Sequence, residues 1–175
     1  GEAVTSQLVG SYNFENIAAA LCIGKFFRVP DTDANAAVAA YTPRNMRSQK
    51  IERGSNTIIL DAYNANPSSM QAAIENLATM HAAKKVAIVG DMFELEDEAE
   101  AEHRALGRLL KSKKFETVYV CGKLCRFAKE ECAEAKYFET KDTLMAELKN
   151  HPIHNATILV KASRGIGLET VLEFL

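Results

Sequence analysis

The chain has 175 residues, of which 47% are apolar and 25% are charged, and its formal net charge at pH 7 is −2. This length and composition suit one soluble domain, or one domain with an additional fragment, and allow a sizeable core. The lack of a basic stripe disfavours nucleic acid as a main partner, and every apolar run is far shorter than the about 20 residues of a membrane-spanning helix.

The first quarter of the chain has a helical pattern that ends at a proline. Residues 10–28 are predicted to form a helix capped by Ser11 or Asn13, and a second helix is predicted over residues 33–40. Pro43 cannot continue a helix, so we place a domain boundary there. The chain begins with neither a methionine nor a signal pattern, and we expect it to be part of a longer protein.

The rest of the chain alternates between short apolar runs and helical patterns. Strands are predicted at 48–53, 57–61, 86–89, 118–120, 137–138 and 157–160. Helices are predicted over 67–80, 96–112, 123–134, 141–150 and from 168 to the end. Four of the strands are continuously apolar, which is typical of strands covered on both faces. The pattern predicts an α/β, Rossmann-like fold whose mostly parallel sheet has an antiparallel edge strand.

No complete phosphate-binding or catalytic motif is present. A P-loop, a GxSxG elbow and an HExxH motif are absent, and residues 165–167 supply only half of a dinucleotide fingerprint. The cysteines form no CxxC pair, which disfavours a zinc or thioredoxin-like site. We expect Cys22 and Cys121 to be buried, and the thiols to be reduced as in a cytoplasmic protein.

Two acidic or polar loops follow predicted strands. In the first, Asp61 could accept hydrogen bonds from a ribose, Tyr63 could stack on a base, and Asn66 could cap a helix or contact a ligand. A capped helix start explains the same residues equally well. In the second, Asp91 and Glu94 suit an amine or a metal, or serve only as acidic groups near the positive end of the next helix.

Two further loops are basic. Lys161, Ser163 and Arg164 follow the last strand, where two cations around a hydroxyl could hold a carboxylate or a phosphate. Arg47 lies at the domain junction, from which an arginine can reach a phosphate held by a neighbouring domain. Ordinary surface charge is the alternative for both loops. His103, a single histidine on a helix, is predicted to be structural.

These loops, in this order, resemble the carboxy-terminal part of the Mur ligases. The resemblance is carried by GSYNFEN (10–16), Arg47, DAYNANPSSM (61–70), GDMFEL (90–95) with His103, and VKASR (160–164). The strings DAYNANPSSM and GDMFEL are specific, and they resemble those of the family members that add D-alanyl-D-alanine to UDP-MurNAc-tripeptide. Two departures are Tyr12, where many relatives have His, and Ala162, where relatives usually have Gly.

The resemblance implies two domains and a reaction. Residues 1–42 would be the helical remnant of a central ATP-binding domain, and 43–175 a complete Rossmann-like domain. The implied activity is ATP-dependent amide ligation in peptidoglycan synthesis, through an acyl phosphate. ATP and Mg²⁺ are the implied cofactors, with the P-loop and metal ligands upstream of Gly1. UDP-MurNAc-tripeptide and D-alanyl-D-alanine are the implied partners, and a monomer is expected.

The resemblance also implies roles for single residues. ATP binding is implied for Asn13, Asn16, Arg47, Asp61, Tyr63 and Asn66. The first two would contact adenosine, Arg47 would reach the phosphates as the catalytic residue, and Asp61 would hold the ribose. Substrate binding is implied for Asp91, Lys161, Ser163 and Arg164. No metal ligand is implied, and this chain alone is expected to have no ligase activity and to bind ATP weakly at best.

Two other interpretations stay open. A related ATP-dependent ligase, such as a folylpolyglutamate or cyanophycin synthetase, is the first, although the YNANP string argues against it. A free-standing flavodoxin-like binding module is the second. That module would need residues 1–42 as an integral part of its fold, so poor packing of these residues on 43–175 would favour the remnant of a neighbouring domain.

Overall fold

The computed structural model describes residues 3–175 and contains one six-stranded sheet with helices on both faces. The strands are β1 (Gln49–Arg53), β2 (Asn56–Asp61), β3 (Lys85–Gly90), β4 (Thr117–Cys121), β5 (Lys136–Phe138) and β6 (Thr157–Lys161). The α-helices are α1 (Phe14–Phe26), α2 (Asp31–Ala40), α3 (Pro67–Thr79), α4 (Ala99–Ser112), α5 (Cys125–Glu131) and α6 (Lys141–Asn150). Short 3₁₀ helices cover Ser11–Asn13, Glu96–Glu98, Arg164–Ile166 and Leu168–Phe174.

The order of the strands places three of the candidate loops side by side. The sheet runs β1-β2-β6-β3-β4-β5, with β1 antiparallel to β2 and every other pair parallel. The predicted mostly parallel sheet with an antiparallel edge strand is therefore confirmed. Because the last strand lies between β2 and β3, the loops that follow β2, β6 and β3 meet at the carboxyl edge of the sheet.

Each face of the sheet has its own apolar layer. Successive residues of a strand point to opposite faces, so Ile58 and Ile158 belong to one layer while Ile59 and Leu159 belong to the other. The helices α3, α4 and α5 cover one face, and α6 with the carboxy-terminal 3₁₀ helix covers the other. The continuous apolar runs thus correspond to strands that are buried on both sides, as predicted.

Two helical segments differ from the prediction. The helix predicted over 123–134 is shorter, because α5 spans only Cys125–Glu131. The final segment is a 3₁₀ helix rather than an α-helix. A three-residue period places Leu168 and Val171, both fully buried, on the same side toward the sheet. The predicted caps of α3 by Asn66 and of α6 by Thr140 are both present.

The amino-terminal helices are poorly covered. Neither α1 nor α2 contains a buried residue, and the side chains of Phe14, Ile23 and Phe26 are 71%, 60% and 81% exposed. Cys22 is exposed as well, so the expectation that it is buried was wrong: α2 packs against α1 but leaves the Cys22 side chain uncovered. None of the helices in residues 3–175 is both long and apolar enough to cross a bilayer.

Candidate functional site

Two arginines converge on one aromatic ring at the carboxyl edge of the sheet. The guanidinium carbon of Arg47 lies 4.0 Å from the centroid of the Tyr63 ring, and that of Arg164 lies 6.0 Å from the same centroid. All three residues are exposed, and within residues 3–175 neither guanidinium forms an ion pair with a carboxylate. The arrangement leaves two cations available to an incoming oxyanion.

A buried ion pair lies beneath this arginine cluster. Asp61 and Lys161 occupy the same register position on the adjacent strands β2 and β6, and the Lys161 Nζ donates to Asp61 Oδ2 at 2.6 Å. Lys161 also donates to the carbonyl oxygen of Asn64 at 3.1 Å. The other carboxylate oxygen of Asp61 accepts from the backbone N–H of Ser48 at 3.1 Å. Lys161 is only 1% exposed, so its ammonium is paired inside the protein.

Ser48 connects this ion pair to the amino-terminal residues. Its hydroxyl is 2.9 Å from the Tyr12 phenol and accepts from Asn13 Nδ2 at 3.3 Å. Asn16 donates in turn to Asn13 Oδ1 at 3.1 Å. Burial raises the pKa of Tyr12 and the Asp61 carboxylate adds to this, while the hydrogen bond to Ser48 opposes it. The phenol is therefore neutral at physiological pH and able to donate.

A cleft opens between the amino-terminal helices and the domain junction. It has a volume of about 460 Å³, which is within the range of small-molecule sites. Polar groups of Asn13, Asn16 and Arg47 line it together with apolar side chains of α1 and α2 and with Tyr41. Its mouth is joined to the arginine cluster by Arg47, which belongs to both.

Asn66 and Ser163 have partners inside the protein. The Asn66 side chain accepts from the Ser69 N–H at 2.8 Å, and the Ser69 hydroxyl accepts from the Asn66 N–H, which completes a capping box at α3. The Ser163 hydroxyl accepts from the Phe93 N–H at 2.9 Å and donates to the Ala65 carbonyl at 3.3 Å. Asn66 stays exposed beside the cluster, whereas Ser163 is 3% exposed.

Asp91 follows β3, and its carboxylate is enclosed beneath the start of α5. Its carboxylate accepts from the backbone N–H groups of Leu124 and Cys125, and it is 3% exposed. His103 is fully buried, and its Nε2 accepts from the Met92 N–H at 3.1 Å. This placement favours the structural interpretation of both residues. Glu94, in the same loop, is exposed.

Asp91, His103 and Cys125 bring three metal-ligating atoms within 4.8 Å of one another. The carboxylate and the imidazole are already engaged by backbone N–H groups. A buried set with a thiol and an imidazole also differs from the oxygen ligands that Mg²⁺ prefers. These residues therefore do not fit magnesium.

The alanine at position 162 is accommodated by a neighbouring glycine. A Cβ atom on Gly90 would lie 2.8 Å from the Cβ of Ala162, so the bare glycine makes room for the methyl group. Ala162 is completely buried in this contact between β3 and the loop after β6. The departure from the family pattern is thus absorbed without displacing the loop from the carboxyl edge.

The structure brings most of the predicted site residues together. Those that meet at the cluster, the ion pair or the cleft are Asn13, Asn16, Arg47, Asp61, Tyr63, Lys161 and Arg164. Asn66 and Ser163 lie in the adjoining loops, and Asp91 is enclosed. The sequence analysis missed Ser48 and Asn64. Asn64 contributes only a backbone carbonyl, which every residue type carries. Ser48 contributes its N–H to Asp61 and its hydroxyl to Tyr12 and Asn13, and these partners are too far along the chain for a local sequence pattern to identify them.

The family model and the related sequences that match this chain both point to the Mur ligases. Residues 46–164 match the family described as Mur ligase, glutamate ligase domain. The UDP-N-acetylmuramoyl-tripeptide–D-alanyl-D-alanine ligase of Bacillus subtilis (strain 168) is 34% identical over 175 residues, which is 95% of this chain and 38% of the relative. The ligase of the same name from Escherichia coli (strain K12) is 32% identical over 98% of this chain and 38% of the relative. The chain thus spans 38% of the length of these relatives.

Comparison with solved structures agrees. MurF from Acinetobacter baumannii superposes with a TM-score of 0.86 at 28% identity, over 97% of this chain and 39% of that one. MurF ligase from Thermotoga maritima in complex with ADP gives 0.79 at 27% identity, over 95% and 38%. A Mycobacterium tuberculosis folylpolyglutamate synthase, at 18% identity and a TM-score of 0.67 over 98% and 42%, shares the fold alone. The chain belongs to the Mur ligase family.

Proposed function

We propose that this chain is the carboxy-terminal part of an ATP-dependent ligase that adds D-alanyl-D-alanine to UDP-MurNAc-tripeptide. Its substrates would be ATP and the two compounds in the names of its relatives, UDP-MurNAc-tripeptide and D-alanyl-D-alanine. The relatives with this ligase name support the proposal because they match nearly the whole chain. Because the chain spans 38% of their length, we propose that the P-loop and the Mg²⁺ ligands lie in the remainder of the protein.

One observation carries this function. The strand order places Arg47, Tyr63 and Arg164 above the Asp61–Lys161 pair, with the asparagine-lined cleft beside them. Cations, a carboxylate and a cleft of suitable volume together match a nucleoside triphosphate, which has phosphates, ribose hydroxyls and a base. A surface with only scattered charges would not combine these groups at one edge of the sheet.

We assign the following roles within this site. Asn13 and Asn16 would contact the adenosine in the cleft. Asp61, although held by two protein donors, keeps lone pairs for ribose hydroxyls, since each carboxylate oxygen has two. Arg47 would approach the phosphates and stabilise the charge that develops during phosphoryl transfer, as arginines do in that reaction.

Arg164 would hold the carboxylate of an incoming peptide or the acyl phosphate formed from it. Its guanidinium is exposed beside Tyr63 and can present two parallel donors. Phosphorylation of a carboxylate is needed because the carboxylate itself lacks a good leaving group. A substrate-binding role for Asp91 stays a prediction, and its burial makes it the least supported of the set.

The uncovered amino-terminal helices support the proposed division at residue 43. A free-standing binding module would bury these helices on its sheet, whereas neither α1 nor α2 contains a buried residue. We propose that residues 1–42 belong to a neighbouring ATP-binding domain. A monomeric state and a cytoplasmic location stay predictions.

The test of this function is replacement of Arg47 in the full-length ligase. We expect Arg47→Ala to lower kcat for ATP-dependent condensation by on the order of 10³-fold, because a positioned arginine contributes about that much to phosphoryl transfer. Arg44→Ala is the matched control, since Arg44 is exposed in the same linker and contacts neither the cluster nor the cleft. Equal kcat values for the two variants would contradict the assignment.

A further inference from the structure

Lys161 and Ser163 differ from Arg164, in the same loop, in the exposure of their side chains. Both are almost fully buried, at 1% and 3% exposure, whereas Arg164 is exposed. A residue that binds an incoming peptide needs an accessible polar atom. The structure offers such an atom on Arg164 and encloses those of its two neighbours.

The polar atoms of Lys161 are committed to the loop that follows β2. Its ammonium donates to the Asp61 carboxylate and to the Asn64 carbonyl, at 2.6 and 3.1 Å. A substrate carboxylate that displaced Asp61 from this ammonium would deprive a carboxylate that is only 13% exposed of its charged partner and leave it the Ser48 N–H alone. Such a loss is costly in a region of low dielectric constant, so the internal pair is the favoured partner.

Ser163, in the loop after β6, forms hydrogen bonds to the loops after β2 and β3 that lie on either side of it. Its hydroxyl accepts from the Phe93 N–H, in the loop after β3, and donates to the Ala65 carbonyl, in the loop after β2. Its own backbone N–H donates to the Asp91 carbonyl at 3.0 Å. One residue therefore fixes three loops that are far apart in the sequence.

We propose that Lys161 and Ser163 are positioning residues that do not touch the incoming peptide. They hold the loop after β2 and the loop after β3 in fixed positions at the carboxyl edge of the sheet. This inference rests on the proposed function and deepens it, because it separates positioning groups from groups that meet the substrate. Lys161 acts through Asp61, whereas Arg164 is left as the contact for the peptide.

The experiment compares nucleotide affinity with the KM for D-alanyl-D-alanine in the full-length ligase. We expect Lys161→Met to weaken ADP binding by about tenfold, as loss of a group that orients a ligating side chain does, and to leave the dipeptide KM at saturating ATP within about twofold. Arg164→Ala should do the reverse, raising the dipeptide KM. An increased dipeptide KM with unchanged ADP affinity in Lys161→Met would overturn the inference.

A double-mutant cycle shows whether Lys161 acts through Asp61. If it does, adding Lys161→Met to Asp61→Asn will weaken ADP binding no further than Asp61→Asn alone. Additive losses would contradict the positioning role. Lys161→Arg should restore part of the affinity because it keeps the charge. Lys85→Met is the control, since that ammonium donates to the Ala78 carbonyl at the opposite end of the sheet.

Ser163→Ala gives an independent measurement if Lys161→Met does not fold. We expect faster amide hydrogen exchange at Phe93 and weaker ADP binding, with the dipeptide KM unchanged. Ser55→Ala is the control, because the Ser55 hydroxyl accepts from the Asn155 N–H far from this edge. Unchanged exchange at Phe93 would contradict the inference. Failure of the wild-type ligase to bind ADP would instead contradict the proposed function.

Discussion

Burial controls the chemistry of the cysteine side chains. Burial raises the pKa of Cys121 to about 12, and the nearby Asp91 carboxylate adds to the increase. Burial and the same carboxylate raise the pKa of Cys125 well above its usual range, and burial raises that of Cys132 as well. Since the thiolate is the reactive form, these three thiols should be inert at neutral pH. Cys22 is exposed and lacks this protection.

We therefore predict that iodoacetamide modifies only Cys22 in the native protein at pH 8. Raising the pH to about 9 should still leave Cys121 and Cys125 unmodified, because burial raises their pKa values well above the ordinary value and keeps them protonated there. Mass spectrometry of digests measures the modified positions, and labelling in denaturant shows that all four can react. A Cys22→Ser variant should remain unmodified when native. Native labelling of Cys125 would contradict the prediction.

At the scale of single elements, Asn66 has a clear structural role in starting α3. Its side chain accepts from the Ser69 N–H, and Pro67 follows at the first helical position. Asn66 is also exposed in the loop between β2 and α3, so a cap and a ligand contact are both compatible with its position. Comparison with a second capped helix separates the two roles.

We expect Asn66→Ala to reduce the free energy of unfolding by about 1 kcal/mol, the usual cost of losing a cap. Thr140→Ala is the matched control, because Thr140 caps α6 through the Thr143 N–H. Both changes are measured by urea denaturation, and ADP affinity is measured for each in the full-length ligase. If Asn66 also contacts the nucleotide, only its variant will bind ADP more weakly. Equal ADP affinities would leave Asn66 as a cap alone.

Local patterns predict the elements well because they depend on neighbouring residues. The apolar runs of β2, β3, β4 and β6 and the caps of α3 and α6 all lie within a residue or two of their predicted positions. The insertion of β6 between β2 and β3 depends on packing across the whole chain, and so does the Asp61–Lys161 pair, which joins residues 100 positions apart. The resemblance to a family implied ATP binding for Asp61 and substrate binding for Lys161, and it did not predict that the two side chains pair.

At the scale of the whole molecule, burial is uneven. The sheet with its two apolar layers contains most of the buried residues, whereas α1 and α2 contain none. Side chains of the amino-terminal segment reach the sheet domain at Ser48, through Tyr12 and Asn13, and at the core layer, through the partly buried Val9. A helical segment that buries so little on the sheet should contribute little to its stability.

We predict that residues 43–175 fold with nearly the stability of residues 1–175. The deletion removes two hydrogen bonds to Ser48, each with a net contribution of about 1 kcal/mol, and the packing of the partly buried Val9 against the core, which contributes about 1 kcal/mol more. The free energy of unfolding should therefore fall by no more than about 3 kcal/mol. Urea denaturation followed by circular dichroism measures this difference.

Deletion of residues 164–175 is the control for that truncation, although it is shorter. It removes Leu168 and Val171, both fully buried against the sheet, and should cost more than about 4 kcal/mol, since loss of a buried aliphatic side chain costs about 2 to 5 kcal/mol. If deletion of 1–42 proves as damaging as this control, the amino-terminal helices are an integral part of one fold. The division at residue 43 would then be wrong.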